Sequence, residues 1–467
     1  MTDTGRHTAA DTTEDTRRDI TADTTADTRR DTTADTRVDA DQDVGKDAGK
    51  SPERQIETDF CVVGGGPAGL TLALVLLRSG ARVTLVERAS SFDREYRGEI
   101  LQPGGTALLD SLGVLAGARE RGSHEHDRFQ LVDRGRVLLD GDYRRLPGPH
   151  NHLLAIPQPH LLQELLEHCL RHDRFTYLGG TRVTGLLEED GAVRGALCEG
   201  RGGRHAIVAH CVVGADGRYS KVRRLAGIGY TRLDVFDQDV LWFKLPAAGA
   251  PPRVVRVFLD GGNPVLTYAS VPDGVQVGWT LPHKGYAALA AEGVDHVKRQ
   301  ICAAIPEYAD LVRERIGALT DLTLLDVFAG GADQWVRDGL VLIGDSAHTH
   351  GPIGAQGINL AIQDAVAVHP ILLASLRSHD ARASFLGAFT LRRRPSVDSM
   401  TRIQRAQSRV MLSTGGFASM VRPALARVVS RSPVYRSMLK KIAYGDPGLR
   451  VSAELFIPGA VSPASPA

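Results

Sequence analysis

The chain is poor in the features that would place it outside a reducing cytoplasm. Its five cysteines (Cys61, Cys169, Cys198, Cys211 and Cys302) are scattered, odd in number and form no C-x-x-C pair. That pattern speaks against a disulfide framework and a zinc site, and a cytoplasmic protein is expected. Net charge is almost absent, 56 Lys+Arg against 55 Asp+Glu, so neither a nucleic-acid nor an anionic-membrane partner is expected. No uninterrupted apolar run comes near the ~18 residues of a membrane span, so no integral membrane protein is expected. The N-terminus also lacks an apolar h-region, and no secretory signal is expected. His348 and His350 have no metal-like partners at ligand spacing, so no metal is expected.

Residues 1 to 56 lack an apolar face altogether. Aspartate recurs every four residues from Asp11 through Asp39, and Ile20, Val38 and Val44 are the only large apolar residues between Met1 and Gln55. A helix would stack those aspartates in one like-charged column with nothing to bury, so a disordered tail is expected.

What the chain does contain is clearest at residues 59 to 88, DFCVVGGGPAGLTLALVLLRSGARVTLVER. Phe60 to Val63 is a short apolar run suited to a buried parallel strand. Gly64, Gly66 and Gly69 then form G-x-G-x-x-G: one glycine for the tight turn, one for backbone approach to a pyrophosphate, one for close helix–strand packing. Pro67 and Ala68 open the helix, and Pro67 sits where a missing N–H costs nothing. A second strand, Val83 to Val86, ends at Glu87 and Arg88, with Glu87 placed to accept from a ribose hydroxyl. The spacing, the flanking strands and the terminal acid together predict dinucleotide binding.

Further along, Arg97 stands in a loop before a short helix expected at Thr106 to Leu112. Its fork matches phosphate oxygens, although spacing alone leaves a surface arginine equally open. Gln158 and His160 sit at the entrance of an amphipathic helix ending near Leu170, where capping is the commoner role. Short strands over 175 to 215 end at Gly214-Ala215-Asp216-Gly217, which offers the Asp216 carboxylate at a tight turn. Residues 231 to 322 alternate strands with Gly, Pro and aromatic residues. Antiparallel strands inserted into a βαβ framework predict a second domain whose sheet covers the nucleotide crevice. Phe236, Trp242, Phe258, Tyr268 and Trp279 are its candidate pocket aromatics, with core packing as the alternative.

The second informative stretch is GLVLIGDSAHTHGPIGAQGINLAIQDAV, residues 339 to 366. A buried strand ends at Gly344-Asp345, and a glycine-rich loop leads into a helix expected from Gly357 to Val366. Asp345 is placed to hold sugar hydroxyls, and N–H groups around Gly354 to Gly357 to face a ring edge or an anionic oxygen. The remainder, 367 to about 445, reads as helical with a break at Pro395, followed by a loose tail.

In this order and at these distances, GGGPAG with Glu87, GADG at 214–217 and GDSAHTHGPIGAQGIN at 344–359 resemble the class A flavoprotein monooxygenases of the para-hydroxybenzoate hydroxylase-like kind. The likeness covers about residues 57 to 400. It implies FAD, with Gly64, Gly66 and Gly69 at the pyrophosphate, Glu87 at the adenosine ribose, and Arg97 and Gln158 as further contacts. Asp216 with Gly217 matches the motif tied to FAD and NAD(P)H, and Asp345 the ribityl aspartate. Pro352, Gly354, Gly357, Ile358 and Asn359 match the segment beside the isoalloxazine. The implied activity takes NADH or NADPH and O2, forms a flavin C4a-hydroperoxide, and oxygenates an aromatic or polyketide-like small molecule. His348 and His350 are the candidates for proton handling. A halogenase would carry W-x-W-x-I-P, where this chain has Val277 and Leu281. A reductase of the same superfamily and a flavin-holding sensor are the other readings.

The expected fold is α/β with an inserted α+β domain. A Rossmann-like FAD-binding domain would be built from 57–128, 151–230 and 323–400. A substrate domain would take 129–150 and 231–322, with C-terminal helices over 401–467.

Overall fold

The predicted βαβ unit is the centre of an eight-stranded sheet in the computed structural model: β1 (Arg54–Val63), α1 (Pro67–Arg78) and β2 (Val83–Glu87). The structure describes residues 54–92, 98–233, 238–246, 252–259, 263–412 and 432–458. The expected disordered segment up to residue 53, Arg97, Phe236 and the tail beyond 458 lie outside the described residues.

The sheet runs Val336–Arg337, Leu340–Leu342, Gly203–Gly214, β1, β2, Phe175–Gly179. From Leu340–Leu342 to Phe175–Gly179 each neighbouring pair is parallel. Thr181–Glu189 and Ala192–Gly200 extend antiparallel from the Gly203–Gly214 strand. These strands are longer than expected from sequence, because Asp190 and Gly191 both take positive φ in a tight turn whose twist suits a long hairpin.

Helices cover this sheet. α1 is apolar nearly all round and buries ten residues, from Ala68 to Leu77, as a helix packed on two sides must. It lies against the Gly357–Ser378 helix, which runs well past the expected end at Val366 and through Pro370. By length and composition that helix is long and apolar enough to cross a membrane, and it is the one such helix among the described residues. Here it is core: Leu360, Ile362, Val366 and Leu372 are buried, and so are Gln363, Asp364 and His369, which interrupt its apolar run. The Ala388–Leu412 helix passes Pro395 without the expected break. Proline deprives the carbonyl four residues back of its partner, and that residue, Leu391, is 80% exposed, so water can serve instead.

A second sheet has seven strands: Thr323–Leu325, Gln238–Pro246, Gly274–Pro282, Val265–Ser270, Val254–Phe258, Arg128–Asp133 and Arg136–Asp142. It is antiparallel except where Val254–Phe258 meets Arg128–Asp133. Its register decides which aromatics face where. Trp242 lies opposite Gly278, which lies opposite Leu266, and Lys244, Gln276 and Tyr268 form the next row. Leu241, Phe243, Phe258 and Trp279 point to the other face and pack with Val297, Ile301 and Val312 from the covering helices.

Candidate functional site

The three glycine motifs meet because the strands that carry them end level. Val63 pairs with Gly214, and Gly214 pairs with Leu342. Backbone bonds continue the alignment past the sheet: Ala215 N–H to Val63 O at 2.7 Å and Ile343 N–H to Gly214 O at 2.9 Å. Gly64 has φ +110°, and a Cβ there would stand 2.3 Å from Ala215 O, so the first two motifs touch through a position only glycine can fill. A Cβ on Gly69 would meet Gly64 O at 1.9 Å, which is the close helix–strand approach expected of it.

Beyond these strand ends opens a cavity of about 1030 Å³, at the top of the ~300–1,000 Å³ range of small-molecule sites. Gly64, Gly66, Pro67, Ala68, Glu87 and Arg88 line it, as do Gln158, Asp216, Gly217 and Asp345. His350, Pro352, Gly357 and Ile358 continue the wall, which reaches Trp242 and Tyr268 on the seven-stranded sheet. One space therefore runs from the βαβ motif to the second sheet.

Several sequence candidates do not line it. Gly69 is used in packing. Asn359 holds the loop instead: its Oδ1 accepts from Gln102 N–H at 2.9 Å and its Nδ2 donates to Ala355 O at 2.7 Å. Gly354 contributes a carbonyl that accepts from Gln102 Nε2 and Gln356 Nε2, each at 2.8 Å. Phe258 and Trp279 are corrected from pocket to core, since the two-residue period of a strand puts them on the helix-covered face. His348 is also turned inward: its Nε2 meets Asp364 Oδ2 at 2.6 Å, with both side chains buried.

Two of the site's carboxylates, Glu87 and Asp216, are held by backbone and hydroxyl donors. Glu87 accepts from Gly65 N–H at 2.6 Å and Ala89 N–H at 2.9 Å, which aims it across the turn. Asp216 accepts from Ser220 Oγ at 2.5 Å, Val222 N–H at 3.0 Å and Ser346 Oγ at 3.1 Å. It thus ties its own turn to the Gly344–Ser346 turn. Asp364 accepts from Gly344 N–H and Arg393 Nε, each at 2.9 Å, besides His348. Burial pushes the Asp364 carboxyl up, but the charges of His348 and Arg393 and the hydrogen bonds outweigh it and hold it well below the usual range. Burial, reinforced by His348, lowers His350 to about 3, so it is neutral at ordinary pH.

The cavity fits an anionic dinucleotide. Gly66, the residue before α1, has no side-chain cap on the helix, and a Cβ on it would meet no protein atom within 4 Å. Gly357 starts the 22-residue helix under the same conditions. Two uncapped helix N-termini thus face one cavity, each offering N–H groups and partial positive charge. Arg88, Arg218, Lys221 and Arg224 add cationic wall. Ala355, a non-glycine at φ 50°, forms the bend just before the Gly357 helix, the kind of strain that persists where surrounding bonds enforce it. Sequence reasoning missed Glu99, Gln102, Gln356 and Phe328. Of these, Gln356 alone carried a signal, its place inside the glycine-rich stretch 344–359.

Comparisons with known proteins agree with this geometry. A family model described as an FAD binding domain matches residues 57–404. The 6-methylpretetramide 4-monooxygenase of Streptomyces rimosus is 63% identical over 410 residues, 88% of this chain and 98% of that protein. A rifampicin monooxygenase of Streptomyces venezuelae is 28% identical, covering 82% of this chain and 78% of its own. The solved structure of p-nitrophenol 4-monooxygenase from Pseudomonas putida superposes with a TM-score of 0.70 at 19% identity, covering 84% of this chain and 99% of that one, and so shares the fold. With both uncapped helices and all three motif turns inside the matched span, the chain belongs to the FAD binding domain family and is an FAD-dependent, NAD(P)H-using monooxygenase.

Proposed function

We propose that the chain hydroxylates a polycyclic phenolic molecule of the polyketide type, 6-methylpretetramide or a close analogue. The observation that carries this reading is the 63% identity to the 6-methylpretetramide 4-monooxygenase across 98% of its length. The continuous cavity supports it, since an aromatic wall at Trp242 and Tyr268 stands in the same space as the dinucleotide motifs. The five cysteines carry no disulfide, which supports a cytoplasmic setting.

In this reading Gly64, Gly66 and the α1 N-terminus would hold the FAD pyrophosphate, with Gly69 closing the turn behind them and Arg97 as a further phosphate contact. Glu87 takes the adenosine ribose, Asp345 the ribityl chain, and Pro352 to Ile358 the ring edge. Bound FAD supplies hydride acceptance from NADH or NADPH and the transfer of one O2 oxygen atom. The chain's own part is to orient and to exclude water. Trp242, Leu266 and Tyr268 offer flat apolar surface to a fused-ring substrate, and the helix N-terminus at Gly357 offers fixed N–H donors to developing negative charge. His350 is neutral and reaches Thr401 Oγ1 through Nε2 at 3.3 Å. In that form it can relay a hydrogen bond without carrying charge.

The test is oxygen-18 incorporation. Purified, flavin-loaded protein with NADPH or NADH, labelled O2 and 6-methylpretetramide should yield a product heavier by one labelled oxygen. Unlabelled or unchanged substrate across a panel of polycyclic phenols would rule the reading out.

A further inference from the structure

We propose that Glu99 is the substrate-anchoring group of the cavity. Its carboxylate accepts a hydrogen bond from a phenolic or enolic hydroxyl and so sets how a fused-ring substrate lies against the Trp242–Tyr268 wall. The proposal rests on the polycyclic-phenol reading above.

Among the carboxylates that line the cavity, Glu87, Asp216 and Asp345 belong to the motif turns, and Glu199 to the outer hairpin. Glu99 is the one tied to the seven-stranded sheet. Its Oε1 accepts from Lys244 Nζ at 3.0 Å and its Oε2 from Ser270 Oγ at 2.7 Å. Lys244 and Ser270 stand two residues on from Trp242 and Tyr268 along the same strands, and therefore on the same face. The carboxylate thus sits at the end of the aromatic wall. Its backbone is fixed as well: Glu99 O accepts from Ile156 N–H at 2.8 Å, and the next residue, Ile100, pairs with Ala155.

Glu99 is 6% exposed, and a buried carboxylate is tolerated only when paired. Lys244 supplies the charge and Ser270 a second donor. An ionised carboxylate offers about four acceptor positions and no donor. The two protein bonds leave about half of that capacity free. The neighbouring wall of Ile100, Trp242, Leu266 and Tyr268 is largely apolar, so a substrate hydroxyl arriving there finds in Glu99 a charged acceptor. Bonds to charged acceptors are roughly twice as strong as neutral ones, enough for about tenfold discrimination between a hydroxyl and its methyl ether.

The experiment uses flavin-loaded enzyme and follows the flavin absorbance change as 6-methylpretetramide, or its phenol methyl ethers, is titrated in. Wild type should bind the free phenol at least about tenfold more tightly than the ether blocked at the anchored hydroxyl. In Glu99→Gln that ratio should fall to about threefold or less while FAD affinity stays unchanged. A ratio preserved in Glu99→Gln overturns the proposal and leaves the substrate reading standing. If Glu99→Gln does not fold, Glu99→Asp, which draws the carboxylate back by one methylene, should lower the ratio, and an unchanged ratio overturns the proposal. If wild type binds neither 6-methylpretetramide nor any other polycyclic phenol, the substrate reading fails and the anchor with it.

Discussion

Asp216 accepts a hydrogen bond from Ser346 Oγ at 3.1 Å, joining two turns that lie 130 residues apart in the chain. The same hydroxyl accepts from Gly217 N–H at 3.0 Å, so the two turns exchange bonds through one side chain. Asp216→Ala and Ser346→Ala should therefore act as a coupled pair. The Asp216 change should cost about 1–3 kcal/mol, because it also strips the Ser220 and Val222 donors of their acceptor. The double variant should lose less than the sum of the single losses, by at least ~0.5 kcal/mol. Urea unfolding of the four proteins measures the coupling, and strict additivity would refute it.

Gly64 and Gly66 should separate folding from cofactor binding. Gly64→Ala puts a Cβ into Ala215 O at a φ that non-glycine residues avoid, and little folded protein is expected. Gly66→Ala meets no protein atom, so its circular dichroism and melting profile without flavin should match wild type. Its FAD affinity should fall by at least about tenfold, the scale of one lost phosphate–amide contact. Retention of normal flavin affinity by Gly66→Ala would remove the pyrophosphate from this turn.

Acid should weaken the fold before its carboxylates titrate. Burial lowers His126 and His369 to about 4 and His350 to about 3, against an ordinary value of 6.5. Between about pH 6.5 and 4 the unfolded chain therefore binds more protons than the folded one, and stability falls as pH falls. Above about pH 7 these groups contribute no slope. The free energy of unfolding at pH 7.5, 6 and 5 should show the decline, and His126→Gln should flatten it. A curve level down to pH 5 would contradict the three neutral histidines.

Trp242 lies over Gly278, where an added Cβ would meet the indole ring at 2.7 Å. Gly278→Ala must then move that ring, which forms part of the cavity wall. The expected result is a substrate KM raised about tenfold with FAD affinity unchanged, alongside NAD(P)H oxidation less tightly coupled to product. Unaltered KM and coupling would mean that Trp242 does not contact substrate.

The Asp364–Arg393 pair is fully buried, its Oδ1 and Nε 2.9 Å apart. Arg393→Met should destabilise by about 3–5 kcal/mol, since it leaves a carboxylate in the core with His348 as its remaining side-chain partner. Adding Asp364→Asn should recover part of that loss. Thermal melts without flavin test both steps, and a double variant weaker than Arg393→Met would show that the charge was not the cause.

Much of this arrangement was legible beforehand because glycine turns and strand ends are local events. The roles of Gly64 and Gly69 follow from spacing, and the structure realises both as approaches so close that an added Cβ would stand under 2.5 Å from a backbone oxygen. Trp279 and Phe258 were misjudged because an aromatic in a strand reads the same whichever face it takes. Only the pairing of Trp279 with Leu241 and Val265 shows that it looks toward the helices. Glu99 stayed hidden because its partners lie 145 and 171 residues away and no local motif marks it. His348 was misplaced for a similar reason: Asp364, which takes its Nε2, sits 16 residues on in a helix whose buried face the apolar pattern does not reveal.

The level strand ends turn the sheet into a ruler. With Val63, Gly214 and Leu342 locked side by side in register, a one-residue slip of the Leu340–Leu342 strand would carry Asp345 about 3.3 Å along the sheet. The separation between the turn at Gly66 and the turn at Asp345 is thus set by hydrogen-bond register and not by loop length. Insertions should be accepted far more readily in the hairpin tips than at either side of this triplet, where one added residue would resize the site itself.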